Sequence, residues 1–277
     1  MRIDAHQHFW KYNAQEYGWI SDAMSVLRRD YLPKDLFNEI SVVKVDGVIS
    51  VQARQALEET NWLLDLADQN KFIKGVVGWV PLVSENISRD LEKYASRQRL
   101  KSVRHVLQDE PDDNYMLRDD FNRGIRALRS TGLRYDILIY ERHLPQAIQL
   151  VDRHPEQVFI LDHVAKPRIR ENQISPWREN MRLLAKRRNV YCKISGMVTE
   201  ADHKTWTSQK LRPYLDTALE AFGSRRLMFG SDWPVCLLAC GYRRWNQIIT
   251  EFASQLTPEE QDRLFGATAI EAYGLTE

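Results

Sequence analysis

Val158-Phe159-Ile160-Leu161-Asp162-His163-Val164 and Asn189-Val190-Tyr191-Cys192-Lys193-Ile194-Ser195 are two short runs rich in β-branched and aromatic residues, too brief for helices and suited to buried strands. Between them, residues 177–188 carry Trp177, Met181 and Leu184 at helical spacing among Arg, Glu and Asn, so that stretch reads as a helix with one apolar face. Strand, helix and strand at this separation make a βαβ unit, and the unit repeats in both directions along the chain. Further strand-like runs lie at residues 3–9, 45–51, 73–80, 101–107, 134–140 and 227–232. The starts are about 32 residues apart on average, the length of a strand, a returning helix and two loops. Other helix-like segments occupy residues 56–69, 117–131, 145–153 and 211–222, with Gly132 and Gly223 just past two of them, where a left-handed terminal residue is wanted. Eight unbroken alternations predict an α/β fold of the closed (β/α)8 TIM-barrel type. An open doubly wound sheet is the alternative, but no Gly-rich turn follows the first strand. The first crossover, residues 10–44, is longer than the rest and holds Trp10, Tyr12, Tyr17, Trp19 and Tyr31; it reads as a loop folded over the barrel mouth. No Ser/Gly linker interrupts the pattern, so one domain over residues 1–277 is expected.

Charge and composition narrow the function. With 39 Lys plus Arg against 38 Asp plus Glu, the net charge is +1, which argues against an electrostatic nucleic-acid binder. Apolar residues at 43% exclude disorder, and no stretch of about 18 uncharged apolar residues offers a membrane span. Three cysteines, Cys192, Cys236 and Cys240, are too few and odd in number for a disulfide framework, and residues 1–6 lack a secretory apolar core. A reducing cytoplasm is the expected location. The expected partner is a small molecule, not nucleic acid or membrane, and the oligomeric state is not legible.

Barrel enzymes take their reactive groups from the C-terminal ends of the strands. The first strand ends Asp4-Ala5-His6-Gln7-His8, and alternation places Asp4, His6 and His8 on one face. Two imidazoles side by side can ligate a metal or donate to an oxyanion. The fourth strand carries Arg104 and His105, the sixth ends Asp162-His163, the seventh carries Lys193, and the eighth ends Gly230-Ser231-Asp232-Trp233-Pro234. Asp232, on a stiff turn before Pro234, reads as a general base, with an N-cap for the next helix as the plainer alternative. Arg104 and Lys193 could equally pair with neighbouring carboxylates. Trp10, Trp19, Trp79 and Trp233 lie near strand ends, where an indole face can stack on a sugar ring or simply pack. The cysteines read as core thiols.

Together, His6-Gln7-His8-Phe9-Trp10, Val51-Gln52-Ala53, Val103-Arg104-His105, Leu161-Asp162-His163-Val164-Ala165-Lys166-Pro167, Cys192-Lys193-Ile194-Ser195-Gly196 and Gly230-Ser231-Asp232-Trp233-Pro234-Val235 resemble the amidohydrolase superfamily. Within it the chain is similar to the branch of sugar lactone hydrolases that takes in the L-fuconolactonases and L-rhamnonolactonases. Two-metal members of the superfamily carry a bridging lysine or carboxylate on the fourth strand and a ligating histidine on the fifth. Here the fourth strand offers Arg104 and His105, and the fifth ends Ile139-Tyr140-Glu141-Arg142-His143. The resemblance therefore implies either no essential cofactor or at most one divalent ion, zinc by preference, held by some of His6, His8, His163 and Asp232.

The reaction so implied is opening of an aldonolactone, of the L-fucono or L-rhamnono type, to its acid. Asp232 would take the proton of the attacking water, while Arg104, His105 and His163 polarise the carbonyl and His6 and His8 hold the ion or add donors. Gln52, Arg54, Tyr140 and Lys193 are the candidates for contacting the sugar, with Trp10, Trp19 and Trp233 as flat faces for its ring. Two further readings stay open. One is hydrolysis of an unsaturated dicarboxylate lactone, or metal-dependent decarboxylation, with Arg54, Arg104 and Arg168 as the cations it would need. The other is a non-catalytic sugar-binding barrel.

Overall fold

Every strand-like run forms a strand and pairs with its successor in the chain. The computed structural model describes residues 1–94 and 96–276. Its single parallel sheet has the order β1 (Ile3–Gln7), β2 (Gly47–Val51), β3 (Ile73–Gly78), β4 (Leu100–Val106), β5 (Arg134–Leu138), β6 (Phe159–Leu161), β7 (Val190–Ile194) and β8 (Leu227–Phe229). The helices that return the chain are α1 (Pro33–Val43), α2 (Leu57–Gln69), α3 (Ile87–Glu92), α4 (Asp119–Thr131), α5 (Leu144–Arg153), α6 (Trp177–Ala185), α7 (Ser208–Phe222) and α8 (Tyr242–Ala253). Two short helices, α9 (Pro258–Asp262) and α10 (Thr268–Tyr273), follow. The sheet closes just beyond β8: Gln7 bridges Trp233 in parallel, Asp232 N–H donates to His6 O at 2.8 Å and His8 N–H donates to Trp233 O at 2.7 Å. This is the predicted (β/α)8 barrel.

Alternation within the strands divides the apolar residues into two cores. Ile3, Ala5, Ile49, Val51, Val77, Ile160 and Met228 pack inside the barrel, while Val48, Val76, Val103, Phe159, Leu161, Cys192 and Ile194 face the helices. Ala269, Ala272 and Tyr273 of α10 join the inner cluster, and Arg134 Nε donates to Ala272 O, so α10 stoppers the end where the strands begin.

The first crossover is not loop throughout. Trp10 and Tyr31 pair as an antiparallel bridge that closes residues 10–31 into a loop, and α1 follows. Pro33 stands at the first helical position, Asp35 accepts the Leu32 N–H at 2.9 Å, and Leu36 and Ile40 are buried, so ordinary start signals and an apolar stripe were present there. Gly132 ends α4 in the left-handed region as expected; Gly223 has positive φ but extended ψ, a different exit. Among the described residues no helix is long and apolar enough to cross a membrane. All three cysteines are buried and free.

Candidate active site

The register of β1 against β2 slips between Asp4 and Gln7. Alternation therefore fails inside β1. Ala5 lies in the inner core, Gln7 donates to Ser50 Oγ, and Asp4 accepts the Ser231 N–H, whereas His6 and His8 both reach the mouth. The expectation that Asp4 shares their face does not hold.

A second departure follows β6. His163, Val164, Ala165 and Lys166 all have φ between 47° and 59°, a left-handed run that costs each L-residue on the order of 1–2 kcal/mol. It turns the consecutive residues Asp162 and His163 toward the same cluster. Gly196, at φ 64°, makes room for it: a Cβ there would stand 2.5 Å from His163 Nδ1. After β8, Asp232 is again left-handed, at φ 58°.

These backbone devices gather four side chains. His6 Nε2 and His8 Nε2 are 3.2 Å apart, and Asp232 Oδ1 lies 3.4 Å from His8 Nε2, 3.8 Å from His6 Nε2 and 4.0 Å from His163 Nε2. His8 Nδ1 donates to Val51 O at 2.8 Å, so in the neutral ring Nε2 carries the lone pair. His163 Nδ1 meets Ser195 Oγ at 2.9 Å. Burial pushes the His163 imidazole down to about 4 and holds His6 well below its ordinary value, so both are neutral near pH 7. Burial alone would raise the Asp232 carboxyl, but His163, His8 and Lys166 outweigh it and hold Asp232 below the usual carboxylate range. The donor set fits a single zinc ion: ligand atoms about 2.0–2.1 Å from a tetrahedral centre stand about 3.4 Å apart, close to the spacings of His6, His8 and Asp232. A second possible set, His6 with Asp162 and His163, shares His6, and its Asp162 is already engaged.

Beneath this cluster lies a chain of buried charges. Lys193 Nζ is 2.6 Å from Asp136 Oδ2, 2.9 Å from Asp162 Oδ1 and 3.2 Å from His6 Nδ1. Arg104 Nη1 donates to Asp162 Oδ2 at 2.9 Å and Nη2 donates to Gln52 O. Above it, a cavity of about 390 Å³ is lined by His8, Trp19, Arg104, His163, Lys166 and Asp232, with Ala53, Val106, Leu138 and Val235 as its aliphatic wall.

The amidohydrolase family profile matches residues 3–275. The chain belongs to the amidohydrolase family. It is 40% identical to an L-fucono-1,5-lactonase of Burkholderia multivorans, over 100% of this chain and 97% of that protein. A second L-fucono-1,5-lactonase, from Burkholderia ambifaria, is 34% identical over 98% of this chain and 95% of its own length. A crystal structure of an amidohydrolase from Burkholderia multivorans with bound zinc superposes with a TM-score of 0.96 at 41% identity, covering 100% of both chains.

Against this family background the residues singled out in the sequence divide cleanly. His6, His8, Arg104, His163 and Asp232 come together. His105 does not: it follows inward-facing Arg104 on β4, so it points into the helix layer, bonds Glu110 at 2.6 Å and stacks on Tyr115. Its proposed share in polarising a carbonyl is withdrawn. Lys193 and Gln52 are fully buried under the site and engaged with protein groups, so neither reaches a sugar. Trp10 and Trp233, 0% and 3% exposed, pack on Tyr31 and are core residues; Trp19, 40% exposed, faces the cavity. Arg54 lines the cavity but pairs with Glu16 at 2.9 Å. Tyr140 stands one step away, in a neighbouring recess that shares Lys166 with the cavity. Asp162, Lys166 and Asp136 are the members of this amidohydrolase site that sequence reasoning passed over. Asp162 and Lys166 flank His163 in the Asp-His-x-Ala-Lys motif; Asp136, mid-strand in an apolar run, was the signal for a buried counter-ion.

Proposed function

We propose that the protein hydrolyses a neutral sugar lactone, an L-fucono- or L-rhamnono-type 6-deoxy aldonolactone in the six-membered form, to the aldonate. The observation that carries this reading is Asp232: an ionised carboxylate in the wall of a sugar-sized cavity, set among His8, His163 and Lys166. The similarity to the two Burkholderia lactonases supports the substrate class.

Opening a cyclic ester needs a base for water, positive charge for the tetrahedral oxygen and a proton for the departing ring oxygen. Asp232 accepts the proton of the attacking water at its carboxylate and returns it to the ring oxygen as the bond breaks. Arg104, fixed by Asp162 and Gln52, supplies positive charge at the cavity floor, and Lys166 supplies it at the wall. Neutral His163, oriented by Ser195, adds a dipole beside Asp232. His6, His8 and Asp232, with His163 beside them, would hold a zinc ion, which supplies Lewis acidity toward the carbonyl oxygen when bound. Trp19 and the aliphatic wall give the deoxy carbon an apolar surface, and Arg54, already paired with Glu16, is not free for a second carboxylate. One domain, residues 1–277, would carry all of this, and three buried free thiols agree with work in a reducing cytoplasm.

A pH-indicator screen over neutral aldonolactones and anionic lactones, run with and without chelator, tests the reading. We expect the highest kcat/KM on a neutral 6-deoxy aldonolactone, and elemental analysis should find at most about one zinc per chain. Preference for a dicarboxylate lactone, or lactone binding without turnover, would overturn it.

A further inference from the structure

The buried charges under His6 present its inner nitrogen with two partners that make opposite demands. Lys193 Nζ, 3.2 Å from His6 Nδ1, can only donate; Asp162 Oδ1, 3.3 Å from the same nitrogen, can only accept. Asp162 Oδ1 is fully buried and accepts no well-directed hydrogen bond, although Asp162 Oδ2 is satisfied by Arg104 at 2.9 Å. Lys193 itself cannot move away, because Asp136 grips it at 2.6 Å and is in turn fixed by Ser102 Oγ at 2.6 Å and Tyr273 OH at 2.7 Å.

We propose that Lys193 and Asp162 form a tautomer switch for His6, Lys193 keeping the imidazole proton on Nε2 when no cation is bound and Asp162 accepting it from Nδ1 when one is. The inference rests on reading His6 as a zinc ligand. In the first arrangement Lys193 donates to His6 Nδ1, and His6 Nε2–H points at the lone pair of His8 Nε2, 3.2 Å away, while His8 Nδ1–H is held by Val51 O. Every hydrogen has an acceptor. In the second arrangement His6 Nδ1–H donates to Asp162 Oδ1, which Lys193 Nζ approaches at 2.9 Å without a well-directed hydrogen bond. His6 Nε2 and His8 Nε2 then face each other as two lone pairs, a juxtaposition that is repulsive unless a cation lies between them. One proton leaves Nε2 and one arrives at Nδ1; His6 stays neutral and no heavy atom has to relocate. Lys193, Asp136 and Asp162 are therefore positioning residues that act through His6.

The test uses the full chain labelled with ¹⁵N-histidine and records two-bond ¹⁵N–¹H correlations before and after one equivalent of zinc. We expect His6 as the Nε2–H form in zinc-free protein and the Nδ1–H form with zinc. Zinc affinity, measured by competition with a chromogenic chelator, should fall about 10- to 100-fold in Asp162→Asn, the usual effect of losing a partner behind a metal-binding histidine. It should hold or tighten in Lys193→Met, which removes the group that favours the metal-free tautomer. His6 in the Nδ1–H form in both spectra would overturn the proposal, as would equal weakening by both substitutions, the pattern of a merely structural ion pair. The wild-type spectra decide the matter even where a variant fails to fold. Zinc that does not bind also overturns the switch, while lactone turnover by zinc-free protein would leave the proposed function standing; zinc-loaded protein that opens no lactone yet shows the tautomer change gives the opposite result.

Discussion

Asp232→Asn removes the proposed base while keeping the shape and the main-chain bonds of Asp232. Asparagine matches the aspartate in volume, and it is among the few residues that tolerate the left-handed backbone found here at φ 58°. The main-chain bonds at this position, Asp232 N–H to His6 O and Cys236 N–H to Asp232 O, do not involve the carboxylate. The fold and the barrel closure should therefore survive, with a melting temperature within a few degrees of wild type. What is lost is the ionised carboxylate in the cavity wall that stands beside His8 and His163. A positioned general base is worth about 10²- to 10⁴-fold, or about 2.7–5.5 kcal/mol at about 1.36 kcal/mol per decade, and kcat should fall by that much. The assay is the initial rate of acid release from the best lactone, alongside a thermal melt and a zinc titration. A kcat near that of wild type would refute the reasoning. So would recovery of kcat at saturating zinc, because it would make Asp232 a ligand and nothing more.

Four further outcomes follow from the structure. Trp19→Ala should raise KM and cut the preference for 6-deoxy over 6-hydroxy lactones by about 10-fold, within the range one small group commands in a pocket; Trp10→Ala should instead cost about 3–5 kcal/mol of stability in a urea melt, because Trp10 is fully buried. In Gly196→Ala the new Cβ strikes the His163 ring, so kcat should drop far more than KM rises, and an unchanged kcat would show that the ring has room to shift. His154, whose Nε2 meets Asn122 Oδ1 at 2.8 Å, is pushed down to about 4 by burial and then by Arg126 and Arg153. The unfolded chain takes up this proton near the ordinary value of 6.5, so the stability linked to keeping His154 neutral is full above that pH and is lost as pH falls toward 4. His154→Gln should flatten the pH dependence of the urea midpoint in that window.

The eightfold architecture was legible because strand and helix periods leave separate marks on the chain, and Val158 to Ser195 alone shows both. The site was legible to the extent that its residues follow regular alternation or sit at strand ends: His6, His8, Arg104, His163 and Asp232. Where sequence reasoning erred, the backbone had broken the pattern it relied on. Asp4 was grouped with His6 because the register slip in β1 leaves no local signature. Asp162 was named at the end of the sixth strand but given no role; alternation lets only one of two consecutive residues face inward, and the left-handed run after β6 admits both. His105 is the reverse case, since strict alternation on β4 already excluded it once Arg104 faced in. Trp10 and Trp233 carried no mark that distinguishes a buried indole from one facing a cavity; only the packing of Tyr31 between them decides it.

The barrel closes through the same backbone that carries the reactive groups. Asp4 and Ser231, bonded at the seam, lie 227 residues apart in the chain. Among the described residues no sheet pairing outside this seam spans a comparable loop, so the entropic cost of closing the seam is the largest among the strand pairings, and the seam is where local opening is expected first. The proposed catalytic constellation is thus a folding checkpoint: a chain that has formed seven strand pairs and most of its helices still has no histidine pair opposite an aspartate. On mild denaturation, activity should fade before helical signal does, and turnover per molecule becomes a measure of how many barrels are shut.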